Sequence, residues 1–289
     1  MSPYNNDRDD HRREEYMRMN RLWMSLLAAA ALMALPGPAA AWSPEGHQIV
    51  ARMAALYLTK TAKAEVEDLL GGSAADAMAK ASIWADDIAD KQPETAAWHY
   101  VNIPLAEGKY NAERDCPDGK CALGRMAADM KTLADKTQPR EKRVEALKYL
   151  INLMGEIHQP LRCADDGQDH GRRVKLQLGD KHTNLFDVWE TEVINGLQGK
   201  PEQIVSRLIT KITPEHRKFW AYGSLITWCE ESAGQAKVNI HDDLYGATKL
   251  SNGEILVSLD YPEVKRRLVS ELLSRAGVRL AAALNSSLK

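Results

Sequence analysis

Residues 141–157 constrain the fold more than any other part of the chain. Val144, Leu147, Ile151 and Met154 recur at helical spacing, and Pro160 stops the helix soon after. The spacing predicts a long helix whose apolar face must be covered by other helices. The same period runs through Ile49, Met53, Ala54 and Leu58, behind Pro44, a residue suited to a first helical turn. Further helices are predicted over 61–70, 74–89, 123–135, 185–197, 204–212, 215–236 and 262–285. Residues 98–104 read as extended or irregular. Only 174–178 alternates, and with Gly179-Asp180 it reads as part of a small hairpin. No repeat, low-complexity tract or interdomain linker interrupts the pattern. The expected fold class is all-α: a single helical domain with a small hairpin and one or two long polar loops.

Residues 1–41 read as a leader. Arg21 is basic, residues 22–35 are mostly apolar, and Ala39-Ala40-Ala41 is a small-residue cleavage site. Residues 1–16 are polar and charged, which is unusual ahead of such a leader, so Met17 and Met19 are alternative starts. Removal of 1–41 leaves 42–289, a length suited to one large domain, in an exported protein, periplasmic or secreted. It also makes Trp42 the N-terminus. A free α-amine beside a backbone carbonyl can chelate a metal, and His47 follows about one helical turn later. Taken alone, Trp42 reads equally as an aromatic anchor and His47 as a packed helix residue.

Net charge is −2 and the pI about 6.5. No global basic field draws in nucleic acid, so any polyanion must be held by a local site. The one long apolar run lies in the leader, so no stable membrane insertion of the mature chain is expected. Four cysteines remain in an export-directed chain, where disulfides persist. Cys116 and Cys121 bracket Pro117-Asp118-Gly119, a turn sequence, and read as a small disulfide loop. A metal site of that spacing would want a flanking histidine, and there is none. Cys163 and Cys229 could form a second bridge, but sequence does not establish that pairing.

Potential ligands are scattered. Asp86 closes Trp84-Ala85-Asp86, and His99 sits in Trp98-His99-Tyr100-Val101-Asn102. Asn152 and Glu156 share one helix face, as do Phe186 and Glu190. Singly each is weak, because a lone carboxylate is usually solvated and a lone histidine usually packed.

In combination these blocks resemble the S1/P1 nuclease family, which shares its fold with zinc phospholipase C. The resemblance runs through Trp42…Gly46-His47, Trp84-Ala85-Asp86, Trp98–Asn102, Arg114-Asp115-Cys116…Cys121, Gly155-Glu156-Ile157-His158-Gln159-Pro160-Leu161, Thr183-Asn184-Leu185…Val188-Trp189 and Ala276-Gly277-Val278-Arg279-Leu280-Ala281…Leu284-Asn285. It implies a secreted nuclease or 3′-nucleotidase acting on single-stranded nucleic acid with three zinc ions. Trp42, His47, Asp86 and His99 match its metal ligands. Glu156 replaces the bridging Asp of the GDIHQPLH motif, and Asn152 replaces the His one turn before it. Arg162 replaces the His that ends that motif. Phe186 and Glu190 replace His and Asp in the later NLHxVWD motif, and zinc phospholipase C already has Glu at the last position. His158 matches a family residue that is not a ligand.

The implied metal set is therefore Trp42, His47, Asp86, His99, Asn152, Glu156 and Glu190, holding one or two zinc ions rather than three. His170 and His182 lie nearby as out-of-register replacements for the third site. Asp86 is the expected orienter of the attacking water. Arg162 is expected to stand in for the third cation, to pair with Glu190 and to stabilise charge on phosphate. Tyr100 and Asn102 match positions lining the base pocket. The expected activity is that of an exported, monomeric phosphodiesterase on single-stranded nucleic acid or nucleotides. The alternatives are an inactive relative that binds a ligand or partner, with Glu156, Arg162 and Glu190 neutralising one another, and a lipid phosphodiesterase.

Overall fold

The computed structural model describes residues 41–244 and 247–289. The leader proposed for residues 1–41, Ala41 apart, lies outside the described residues. The described residues all fall in one compact unit, Pro38–Lys289.

Helices α1 (Pro44–Leu56), α2 (Lys60–Leu70), α3 (Ala74–Ala81) and α4 (Trp84–Lys91) open the chain. After a 3-10 turn at Pro93–His99 comes the short strand β1 (Ile103–Pro104), then α5 (Ala122–Ala134) and α6 (Arg140–Glu156). A second short strand, β2 (Ala164–Asp165), pairs in parallel with β1. Then come β3 (Lys175–Leu178), β4 (Lys181–Asn184) and a helical segment over 185–195. Helices α7 (Pro201–Ile209), α8 (Pro214–Trp220) and α9 (Leu225–Ala236), strand β5 (Ile255–Val257) and α10 (Tyr261–Ser287) complete it.

The all-α expectation holds. α6 is the central helix: from Tyr149 to Glu156 every residue is buried, so its second half has no solvent face. That is why polar Asn152 and Glu156 lie inside the domain. α1 packs against α3, α6, α7 and α10, and α5 packs along α6. Close approach of α1 and α10 depends on Gly277, where a Cβ would lie 2.8 Å from Met53 Cβ.

Local reading missed two breaks. The helix expected over 74–89 is divided between α3 and α4. Ser82 Oγ donates to Ala79 O, and Ser82 O accepts from Asn152 Nδ2 at 2.8 Å, so the backbone turns there toward α6. The helix expected over 215–236 is divided by Gly223, whose φ of +115° no helix permits. The hairpin forms as expected between β3 and β4, and β5 adds a parallel strand to β3 that the sequence did not announce.

Both disulfides are present, Cys116–Cys121 across the turn and Cys163–Cys229 across 66 residues. The second ties the loop after α6 to α9. Among the described residues, no helix is long and apolar enough to cross a membrane.

Candidate metal centre

The centre is built where α1, α4 and the 3-10 turn converge on the C-terminal end of α6. His47 lies in the first turn of α1 and is buried. Two glycines let this part of the chain close on α6. A Cβ at Gly46 would lie 2.6 Å from Trp42 Cβ, and one at Gly155 would lie 2.7 Å from His47 Nδ1. Trp42 Nε1 donates to Gly155 O at 3.0 Å, so Trp42 and His47 bracket the same glycine. Gly155→Ala is therefore expected to drive a methyl group into the imidazole. Stability should fall by about 1–3 kcal/mol, and zinc content should fall with it. Thermal unfolding and metal analysis check this; a variant unchanged in both would show that the contact does not position His47.

Glu156 stands at the middle of the group. Its Oε1 is 3.7 Å from His47 Nε2 and 3.2 Å from His99 Nδ1. Asp86, in the first turn of α4, places Oδ2 3.9 Å from His47 Nε2 and Oδ1 3.4 Å from His99 Nδ1. Among the described residues, His47, Asp86 and Glu156 are the one group of three or more acid, His or Cys donors whose atoms all lie within 4.8 Å of one another. Asp86 alone of these side chains reaches solvent, at 17% exposure.

The set is unusual in its unmet bonding capacity. Both ring nitrogens of His47, His99 Nε2, Asp86 Oδ1 and Asn152 Oδ1 are buried without a hydrogen-bond partner. Buried polar atoms are seldom left so, and a cluster of orphaned N and O donors fits a divalent metal of the zinc type. Asn152 also has a supporting part. Its Nδ2 donates to Asp86 Oδ2 at 3.0 Å and to Ser82 O, so it fixes the Asp86 carboxylate and the α3–α4 break together.

Burial alone would pull His99 down, but the Asp86 and Glu156 carboxylates facing its Nδ1 outweigh it and push the imidazole up to about 9. Burial likewise raises Asp86, while His47, His99 and Asn152 together hold it below the usual carboxylate range. A metal ligand must be neutral imidazole, so metal uptake near neutral pH should release the His99 proton. Zinc affinity of the metal-stripped protein is expected to climb with pH and level off above about 9. Without metal, this raised pKa stabilises the fold fully below about 6.5 and the contribution is lost as pH passes about 9. Calorimetric zinc titrations in buffers of differing ionisation enthalpy measure the proton directly; no proton release would exclude His99 as a ligand.

Beyond Glu156 the character changes. Arg162 is 2% exposed and sets Nε 3.3 Å from Glu156 Oε2. Its guanidinium lies 4.7 Å from the Phe186 ring centre, and that of Arg172 lies 3.7 Å from the same ring. Glu190 belongs to a π-turn, Val188–Glu192, and its backbone O accepts from Ser43 N at 2.8 Å. Burial pushes its carboxyl up to about 7, with the Arg162 charge opposing. Glu190 is thus among arginines and outside the three-donor group. Arg172 is the residue that sequence reasoning missed, because Gly171-Arg172-Arg173 carries no local sign of the Phe186 contact.

Tyr100 packs on His170, ring centres 4.6 Å apart, and Asn102 is exposed on the same stretch. His170 binds Leu161 O through Nδ1 at 3.0 Å, and exposed His182 pairs with Glu254 at 2.8 Å. Neither joins a three-donor group among the described residues. His158 is buried and held down to about 3, first by burial and then by Arg279. Its Nδ1 donates to Met154 O, and its Nε2 accepts from Arg279 Nη1 at 3.0 Å.

Two imidazoles and two carboxylates from four separate elements thus meet at one end of the central helix of a helical domain. The S1/P1 nuclease family model matches residues 42–289, and the chain belongs to that family. It is 26% identical to Endonuclease 2 of Arabidopsis thaliana over 84% of this chain and 89% of that protein. It is 22% identical to Nuclease S1 of Aspergillus oryzae over 88% and 94%. With Nuclease P1 of Penicillium citrinum it shares 26% identity over 55% of this chain and 60% of the relative.

Proposed function

We propose that this chain is an exported phosphodiesterase that cleaves single-stranded nucleic acid with a reduced metal site. The observation that carries the reading is the convergence of His47, Asp86, His99 and Glu156 around orphaned ligand atoms. These four residues would hold one or two zinc ions, with the α-amine of Trp42 added once the leader is removed. Bound zinc supplies positive charge over the phosphoryl oxygens and lowers the pKa of a water nucleophile.

The other steps belong to the chain itself. Asp86 presents the accessible carboxylate and accepts a hydrogen bond from the attacking water, holding it in line with phosphorus. Asn152 keeps that carboxylate from rotating. Arg162 acts through Glu156: its buried positive charge balances the carboxylate at the position where the resemblance puts a further cation. Tyr100, on its His170 platform, offers a ring face to a base, and Asn102 offers a polar edge.

The test is metal analysis of protein with Trp42 as its first residue, paired with an assay on single-stranded DNA. One to two zinc ions per chain and zinc-dependent cleavage are expected. Metal-free protein, inactive after zinc addition, would leave the reading of a ligand-binding relative.

A further inference from the structure

Helix α8 stands away from the core, with no buried residue in Pro214–Trp220. Its end and the segment that follows expose large side chains: Phe219 is 72% exposed, Tyr222 84% and Ile226 43%. Exposing two aromatic rings forfeits hydrophobic stabilisation, and a merely tolerated exposure would be left on a loose loop. Here the backbone is fastened from inside. Arg279, itself buried, donates through Nε to Trp220 O at 2.9 Å. Buried Trp228 donates through Nε1 to Tyr222 O at 3.0 Å. Gly223 allows the chain to turn just after them at positive φ. Trp220 stacks on His216, rings 5.0 Å apart and 5° from parallel, which firms the helix beneath the tip.

Arg279 is the residue that also donates to His158, two positions after Glu156. The tip is therefore braced to the same end of α6 that carries the metal centre. His158, a motif residue with no part in binding metal, finds its use in placing Arg279.

The surroundings define a partner. Lys211, His216, Arg217 and Lys218 are exposed on or beside α8, with one acid, Glu215, in the same stretch; the neighbouring acid Glu231 is already paired with Arg275 and Arg279. In a chain of net charge −2 this is a local basic patch around two ring faces. Phe219-Trp220-Ala221-Tyr222 is a short apolar run bordered by Lys218 on one side and by Gly223-Ser224 on the other, too short to make the long apolar face with which a helix lies in a bilayer. Separate exposed rings set among cations match a strand whose bases stack and whose phosphates need neutralising.

We infer that the Phe219–Tyr222 tip is a docking site for single-stranded nucleic acid, outside the metal centre and braced to it through Arg279 and His158. The inference rests on the reading that this chain acts on single-stranded nucleic acid. It predicts that long strands are held better than short ones.

The experiment uses protein beginning at Trp42. Binding of a labelled single-stranded 20-mer is measured by fluorescence anisotropy on metal-stripped protein, and turnover is measured on zinc-loaded protein with the 20-mer and with a dinucleotide. Phe219→Ala with Tyr222→Ala should weaken 20-mer binding at least about tenfold and leave dinucleotide turnover within about twofold. Lys218→Gln should lower the slope of log affinity against log salt by about 0.7. A double variant that binds and cleaves the 20-mer like the parent overturns the docking site. So does one whose only lost property is binding to anionic phospholipid vesicles. A parent that binds the 20-mer through the tip but cleaves neither substrate overturns the nuclease reading and leaves the docking site standing.

Discussion

Glu156→Gln should lower zinc affinity at least about 100-fold and single-strand cleavage by about 10³-fold. The exchange keeps the size and one carbonyl oxygen of the side chain, so packing around α6 is spared. What it removes is charge. A single carboxylate lies 3.7 Å from His47, 3.2 Å from His99 and 3.3 Å from Arg162. Without that charge, His99 loses part of what holds its pKa up, and a cation placed among the imidazoles faces buried Arg162 with one carboxylate fewer to balance it. Zinc titration of the metal-stripped variant, circular dichroism to confirm the fold, and an assay on single-stranded DNA give the answer. A folded variant with unchanged zinc content would remove Glu156 from the centre.

The second large effect concerns the N-terminus. Protein carrying one extra residue before Trp42 is expected to lose at least half of its bound zinc and about 100-fold in activity, at unchanged secondary structure. The indole of Trp42 is tied to Gly155 O, and the next residue, Ser43, is tied to Glu190 O. These bonds hold the start of the proposed mature chain against α6 and the π-turn. An added residue turns the α-amine into an amide, which is a poor ligand at neutral pH. Mass spectrometry of intact protein fixes the N-terminus, and metal analysis of the two forms compares them. Equal zinc in both forms would exclude the amine as a ligand.

Much of this was legible locally. Helical periodicity announced α1, α5, α6 and α10, because one buried face leaves its mark every three or four residues. The Pro117-Asp118-Gly119 turn announced the Cys116–Cys121 bridge, and Gly179-Asp180 announced the hairpin. The order of Trp42, His47, Asp86, His99 and Glu156 announced the family, since each lies within a short block that keeps its own pattern.

What the tertiary structure decided lies in contacts between residues far apart in sequence. Ser82 breaks a helix of good helix formers because Asn152, 70 positions later, takes its carbonyl. Asn152 was expected as a weak ligand through its side chain, and its Nδ2 in addition supports Asp86. Cys163 meets Cys229 because the loop after α6 folds under α9. Arg162 was expected to pair with Glu190; its charge does act on that carboxyl, and packing also sets its Nε 3.3 Å from Glu156 Oε2. Arg172 meets Phe186 across a loop that shows no periodicity at all. Periodicity records which face of an element is buried, and a motif records which residues travel together along the chain. Neither records which buried charge faces which, because that depends on the packing of α6 against helices whose mutual approach is set by glycines such as Gly155 and Gly277.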